Sequence, residues 1–424
     1  MQNLLLQRAS KAESSPIRLS LRLRFQLLHR SAGRQFSTGT PVRKFALGPF
    51  RSNGHMELSA FDLMVGSRHE RTAGRVRAGE LLPLGGGRYL PTHCIPPSAP
   101  GWEVRRIVSK ARAIAAVANL VERNPGILTA DAALLLRGVP TLHSAIDVVF
   151  WRARHKTNLD ARLFPEVEVE VESGVQRVPT AASKELLGAP HGWGDSDSDD
   201  YLLGSHGVRV ARMEQAVLDL VRYSHPLQAF VNASAAFRAL SHFDKFRQVE
   251  SRRRAERVRG RLLRMLEALK ARRGNPRARL LLELIDPGMD SPAEGVVLWA
   301  LKVLLRGNTS RRALHSTQHQ VFAANNEYFL DIGFPYARLG IEFDGATKLH
   351  KGRDSQRAFL RRQADLTRDG WHLCRVTTAD YLDLERLFRL LARDLRSRQV
   401  EVQAPGGPLW PPAPADLLDP ARLF

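Results

Sequence analysis

The chain has 424 residues, 43% of them hydrophobic, and a formal net charge of +21. That length supports two or three domains with a sizeable core, while the longest apolar runs are far too short to cross a bilayer. Two cysteines, Cys94 and Cys374, exclude a disulfide framework and fit a reducing, cytoplasmic setting.

The positive charge is concentrated in two places. Residues 1–54 hold ten Lys/Arg against one acid, Glu13, and residues 245–280 hold fourteen against three, so these segments carry nearly all of the excess. A localised basic segment is the footprint of a polyanion binder. The first segment is Arg- and Ser-rich and includes Leu19-Ser-Leu-Arg-Leu-Arg-Phe-Gln-Leu-Leu28. It reads either as an amphipathic presequence or as a start called too early, with synthesis from Met56; the second is the simpler reading. Residues 1–55 are therefore set apart from the fold.

Residues 56–100 read as a helix followed by a hairpin. Glu80-Leu-Leu-Pro-Leu-Gly-Gly-Gly-Arg-Tyr-Leu-Pro91 places two apolar strands around a triple-glycine turn, with Arg71, Arg75 and Arg77 on the helical stretch before it. A helix with a basic-flanked hairpin is the pattern of a winged helix-turn-helix, and an ordinary hairpin with exposed arginines fits equally well.

Residues 101–243 form a mixed α/β middle region. An amphipathic helix runs over 102–123 and closes at Asn124-Pro-Gly126; Thr129 caps a second helix over 130–137. Strands are expected over 145–152 and 167–172, a solvated acidic loop around Asp195–Asp200, and helices from Met213 to about Leu240. Residues 244–285 are the basic helical segment. Its leucines and Met265 form one buried stripe, leaving a cationic face whose Arg252, Arg253, Arg254, Arg257 and Arg261 are candidates for phosphate contact.

Residues 286–400 read as a compact α/β domain. Ser291, Pro292 and Glu294 make a capping box at the head of a helix. Strands follow near 320–323, 328–334 and 338–343, then a basic helix over 355–369, a strand over 371–376 and a helix over 382–397. Residues 401–424 are a Pro-rich tail. In the segment Phe329-Leu-Asp-Ile-Gly-Phe-Pro-Tyr-Ala-Arg-Leu-Gly-Ile-Glu-Phe-Asp-Gly345, Asp331 lies in one strand. Glu342 and Asp344 lie two apart in the next, so a strand's period of two points both to one face and Ile341 and Phe343 to the other. Carboxylates converging from two strands suit Mg²⁺ or Mn²⁺, hard cations that prefer oxygen ligands, and such a metal suits phosphodiester hydrolysis.

The ordered set Glu294, Asp331, Glu342, Asp344, Gly345, His350, Arg362, Gly370, Trp371 and Arg375 resembles the very-short-patch-repair-like endonuclease fold, a branch of the PD-(D/E)XK nuclease superfamily. The rest is similar, more loosely, to long bacterial proteins that carry such a domain behind an abortive-infection-type antitoxin region. The residues carrying that likeness are Gly79–Tyr89, Gly207-Val-Arg-Val210 and Asp219-Leu220. The resemblance implies a multidomain α+β chain: a winged helix-turn-helix-like unit, a mixed middle region and a restriction-endonuclease-like α/β domain. It implies Asp331, Glu342, Asp344 and Glu294 as catalytic residues, with Asp331 and Glu342 as the metal ligands, and DNA contacts from Arg75, Arg77 and Arg362 beside the basic helix.

The chain departs from that pattern in three places. Asp344 stands where the superfamily name requires a Lys, His350 lies further along than usual, and Gln363 replaces an acid on the basic helix. The resemblance implies that Asp or His can serve in this branch instead, which leaves His350 or Lys348 as substitutes for the missing lysine. Two functions follow: a metal-dependent DNA endonuclease, or a non-catalytic DNA-binding regulator with a degenerate nuclease domain. A homodimer and, in the antitoxin role, a cognate toxin are the protein partners these readings admit.

Overall fold

The structure is a computed structural model that describes residues 58, 62–65, 70–118, 126–152, 163–186, 201–203, 207–269, 274–344 and 353–424. The acidic run around Asp195–Asp200 and the residues Gly345, Lys348 and His350 lie outside the described residues.

The first elements are β1 (Met64–Val65), α1 (Glu70–Arg77) and a hairpin of β2 (Leu81–Gly85) and β3 (Arg88–Pro91), with β1 added antiparallel to β3. The triple-glycine turn is a steric requirement. Gly85, Gly86 and Gly87 take φ of +80°, +59° and +73°, where any Cβ would be strained. Leu82, Leu84 and Leu90 anchor the hairpin in the main core.

The middle region begins with α2 (Gly101–Val117), β4 (Gly126–Leu128), α3 (Ala130–Leu136) and β5 (Val148–Arg152). β6 (Leu163–Phe164), β7 (Val167–Val171), β8 (Gly174–Val178), β9 (Ala181–Leu186), β10 (Tyr201–Leu203) and β11 (Arg209–Ala211) follow. Six of these strands form one sheet in the order β10-β11-β4-β5-β9-β6, and β7 and β8 pair separately. The helices expected from Met213 to about Leu240 are α4 (Met213–Tyr223) and α5 (Pro226–Ser241). Pro226 lacks an N–H to continue α4 but suits the first position of α5, where His225 caps the turn by accepting from the Leu227 N–H.

Thr129 precedes α3 as expected, yet its hydroxyl makes no cap. It donates to Asp219 Oδ2 at 2.6 Å, beside Trp151 Nε1 at 2.7 Å, while Gln215 Nε2 donates to Oδ1 at 3.0 Å. This buried carboxylate joins β4, β5 and α4, and such a group is tolerated only when its lone pairs are filled. Asp131 does the same between α3 and α5, accepting from Gln228 and from Asn232 at 2.6 Å.

The chain continues through α6 (Gln248–Ala268), α7 (Asn275–Leu284) and α8 (Pro292–Leu304) to β12 (Ser316–Ala323), β13 (Asn326–Phe334) and β14 (Leu339–Asp344). After α9 (Arg353–Arg368) come β15 (His372–Thr377), α10 (Thr378–Leu382), α11 (Leu384–Ser397) and α12 (Pro420–Leu423). The four strands form one sheet, β12-β13-β14-β15, antiparallel except for the parallel β14–β15 pair that α9 connects. Ile332, Phe334, Leu339, Ile341, Cys374 and Val376 face the main core with α8 and α11. Val321, Ala323, Leu330 and Trp371 enclose Leu366 of α9 in a smaller cluster. The sheet is therefore covered by helices on both faces, as the expected order of helix, three strands, helix, strand, helix requires.

Residues 401–424 are Pro-rich but firmly held. Gln403 N–H donates to Leu304 O at 2.8 Å, Trp410 stacks on Trp299 at 5.2 Å, and Arg422 O accepts from the Ser144 and Ala145 N–H groups. The segment ties α8 to the turn before β5. The main core runs without a break from Leu58 to Leu423, and residues 49–424 make one compact unit. Among the described residues no helix is long and apolar enough to cross a membrane.

Burial pushes the Asp219 carboxyl up to about 6 despite its three hydrogen bonds. Because the folded value exceeds the unfolded one, the folded state binds the extra proton between about pH 4 and 6, and stability falls as pH rises through that window. Asp219→Asn should remove up to about 1.4 kcal/mol per pH unit of that slope in urea unfolding at pH 4.5–6. Asp219→Ala should cost on the order of 3 kcal/mol at neutral pH, because it leaves three buried donors unpaired.

Candidate active site

Asp331, Glu342, Asp344 and Glu294 come from β13, β14 and the first turn of α8. The pairing of β12 with β13 passes from Thr317↔Ile332 to His319↔Leu330, omitting the step between Gln318 and Asp331. Gln318 takes φ of +48° there, and Leu330 and Ile332 end in different clusters although a regular strand would place them together. The strand thus breaks its alternation at Asp331. The freed carboxylate accepts from the Phe343 N–H at 2.9 Å, so a side chain supplies a bond the ladder lacks.

Glu342 is 4% exposed, on the face of β14 opposite Ile341 and Phe343. Arg362 of α9 meets it with both arms of the guanidinium: Nη1 donates to Oε2 at 2.9 Å and Nη2 to Oε1. Nη2 also donates to Phe329 O at 2.7 Å. Burial works against the Arg362 charge, but Glu342, with Asp331 and Asp344 behind it, more than offsets this and raises its pKa. Glu342 thus binds the guanidinium directly, and the charges of Asp331 and Asp344 add to its negative surroundings. Asp344 pairs with Arg375 Nη1 at 3.3 Å, and Gln363 accepts from Arg375 Nη2 at 3.2 Å.

Glu294 takes the expected place at the head of α8. Ser291 Oγ accepts from its N–H at 3.2 Å, which is the cap. Its carboxyl accepts from Ser291 Oγ at 3.0 Å and from the Asp290 N–H at 2.9 Å, one residue before the position a capping box uses. Burial, then the neighbouring Asp331 charge, push this carboxyl up to about 7. A raised carboxyl beside an acidic strand is the electrostatic pattern of functional sites.

These carboxylates match a hard divalent ion in kind, but their arrangement serves an arginine. Among the described residues no three His, Cys, Asp or Glu side chains are grouped closely enough to hold a metal. Both Glu342 oxygens are taken by Arg362, which was expected on DNA. The 20-residue separation of that pair spans a strand, a connection and a helix, so the sequence carries no local signal of it.

The basic helix α6 buries Ser251, Ala255, Val258, Leu262 and Leu266 at helical spacing, the single stripe expected. Its arginines divide into two groups. Arg252 donates to Thr317 O at 2.8 Å, and Arg254 caps the end of α5 through Ser241 O at 3.0 Å and His242 O at 2.8 Å. Arg259 caps the end of α7 through Leu282 O and Ile285 O, and Arg261 pairs with Glu214 at 2.8 Å. Cations at helix C-termini satisfy orphan carbonyls and complement the helix dipole. Arg253, Arg257 and Arg264 are exposed, and their spacing aligns them within about 40° of one another along some 16 Å of helix. On α1, Arg75 pairs with Glu80 at 2.8 Å, and Arg77 is exposed, donating to Ala73 O within its own helix.

No family model, curated protein or solved structure matches the chain.

Arg362→Met leaves the Glu342 charge buried without its partner and should cost about 3–5 kcal/mol in urea unfolding. Replacing both partners, Arg362→Met with Glu342→Leu, should recover most of that loss, because it removes the stranded charge as well.

Proposed function

We propose that this chain binds DNA and hydrolyses its phosphodiester bonds as a metal-dependent endonuclease. The observation that carries the reading is that Glu342 grips the Arg362 guanidinium while Asp331 and Asp344 add to its negative surroundings, with Glu294 of α8 feeling the Asp331 charge. The cofactor this reading calls for is Mg²⁺ or Mn²⁺, held by Asp331 and Glu342, and it would supply an activated water and charge stabilisation at the leaving oxygen. Glu294 carries a proton near neutral pH and lies beside Asp331, placing a proton donor at the edge of the site. Glu342 can serve as a ligand only where Arg362 releases it, and a DNA phosphate is a bidentate acceptor able to compete for that guanidinium.

The exposed row of Arg253, Arg257 and Arg264 would hold the backbone, with Arg77 and the β2–β3 hairpin as a winged-helix-like second contact. Arg252, Arg254 and Arg261 have partners within the chain and contribute less to this surface. One observation favours a second reading, a non-catalytic DNA-binding regulator: the Arg362–Glu342 pair already neutralises the buried acid without a metal. A cognate toxin is a partner only under that reading, and a homodimer is compatible with either.

Supercoiled-plasmid cleavage by the purified chain, with Mg²⁺, Mn²⁺ or EDTA, separates the two. The endonuclease requires metal-dependent nicking that Asp331→Ala and Glu342→Ala both abolish; DNA binding with no nicking under any metal leaves the regulator. DNA binding itself should be strongly salt-dependent. The Arg253→Ala/Arg257→Ala pair should reduce the slope of log K against log [salt] by about 2 in a fluorescence-anisotropy titration, at about 0.9 per lost phosphate contact. Arg254→Ala should leave the slope unchanged.

A further inference from the structure

Between α7, α8 and the 401–409 segment lies a cavity of about 470 Å³, away from the carboxylate site. Leu280, Leu284, Leu305 and Leu409 contribute apolar wall, and Arg306 and Asn308 stand at its margin. No Asp or Glu lines it. Lys302 of α8 lines it too, with its ammonium pointing to His315: Nζ lies 3.1 Å from His315 Nε2. The other ring nitrogen, Nδ1, lies 2.9 Å from Ala313 O, an acceptor only, so Nδ1 carries the ring proton and Nε2 accepts from the lysine. His315 is therefore a neutral partner, and burial, then the Lys302 charge, push its pKa down to about 4.

An ammonium has three N–H donors, and among the described residues Lys302 has one acceptor. The nearest charges do not correct the imbalance. Burial, first of all, lowers the Lys302 pKa; the Asp286 charge opposes this, and the Arg259 and Arg252 charges of α6 add to it. Asp286 is already engaged, accepting from the Gly288 N–H at 2.8 Å and from the Thr317 hydroxyl. Lys302 is half-buried, and its spare donors border a cavity with apolar walls and no carboxylate, a setting suited to an anion.

We propose that this cavity binds an anionic amphiphile of the medium-chain carboxylate class, with its carboxylate on Lys302 and its chain between Leu280, Leu284, Leu305 and Leu409. The volume lies in the range of small-molecule pockets, about 300–1,000 Å³, and at about 30 Å³ per water-sized group holds roughly 15 non-hydrogen atoms. The 401–409 segment closes one side, held by Asn308 Nδ2 on Glu401 O at 2.8 Å and by Arg306 on Gly406 O. Arg306 and Asn308 therefore hold that segment in place, and Lys302 remains the group that selects charge. The inference is independent of the nuclease reading.

Leu409 adjoins Trp410, which stacks on Trp299, so filling the cavity has an intrinsic fluorescence readout beside calorimetry. The full chain would be titrated with sodium decanoate and, separately, with decanol. Saturable 1:1 binding of decanoate is expected, weakened at least tenfold by Lys302→Met, with decanol binding unchanged or tighter in that variant. Absence of saturable decanoate binding overturns the proposal, as does equal binding of both probes that Lys302→Met leaves unaltered. Should Lys302→Met fail to fold, Leu284→Trp, which fills the cavity, decides: loss of decanoate binding supports the assignment and retention overturns it.

Discussion

A carboxylate in the middle of a helix-covered sheet must be neutralised, and the bidentate pair between Glu342 and Arg362 meets that demand here. Glu342 sits on an inner strand, 4% exposed, where an unpaired charge would cost several kcal/mol. The connection between β14 and β15 brings α9 across that face and delivers Arg362, which also ties the helix to the Phe329 carbonyl of β13. The ion pair thus occupies both oxygens of Glu342 and helps seat α9, alongside Leu366 in its apolar cluster and the Tyr328 hydroxyl donating to Asp365. Glu342 is open to another partner only where the guanidinium moves away.

The same economy governs the basic helix. Its positive charge suggests a surface for polyanions, yet Arg252, Arg254 and Arg259 point to backbone carbonyls at Thr317 and at the ends of α5 and α7. Arginine suits this work because its fork reaches two acceptors at once and never loses its charge. Among the described residues of α6, Arg253, Arg257 and Arg264 form a narrow exposed row, smaller and better defined than the composition implies. The C-terminal segment shows a related point: a Pro-rich stretch became a brace because Leu409, Trp410 and Leu423 give it apolar anchors.

The sequence by itself determined the local elements of the C-terminal domain: the capped α8, the β13–β14 acids at period two, the α9 crossover and the buried stripe of α6. It also determined the hairpin, because three consecutive glycines meet three positive φ angles. These features are set by interactions within a few residues, which spacing and residue type record directly. Only the tertiary structure decided which partners those residues take. Thr129 gives its hydroxyl to Asp219 rather than to its own helix, Arg362 closes on Glu342, and Lys302 faces a neutral histidine across a cavity. Each pair joins residues from 13 to 90 positions apart. Their meeting follows from how helices and sheets pack around a shared core, and that leaves no period or spacing in the chain to read.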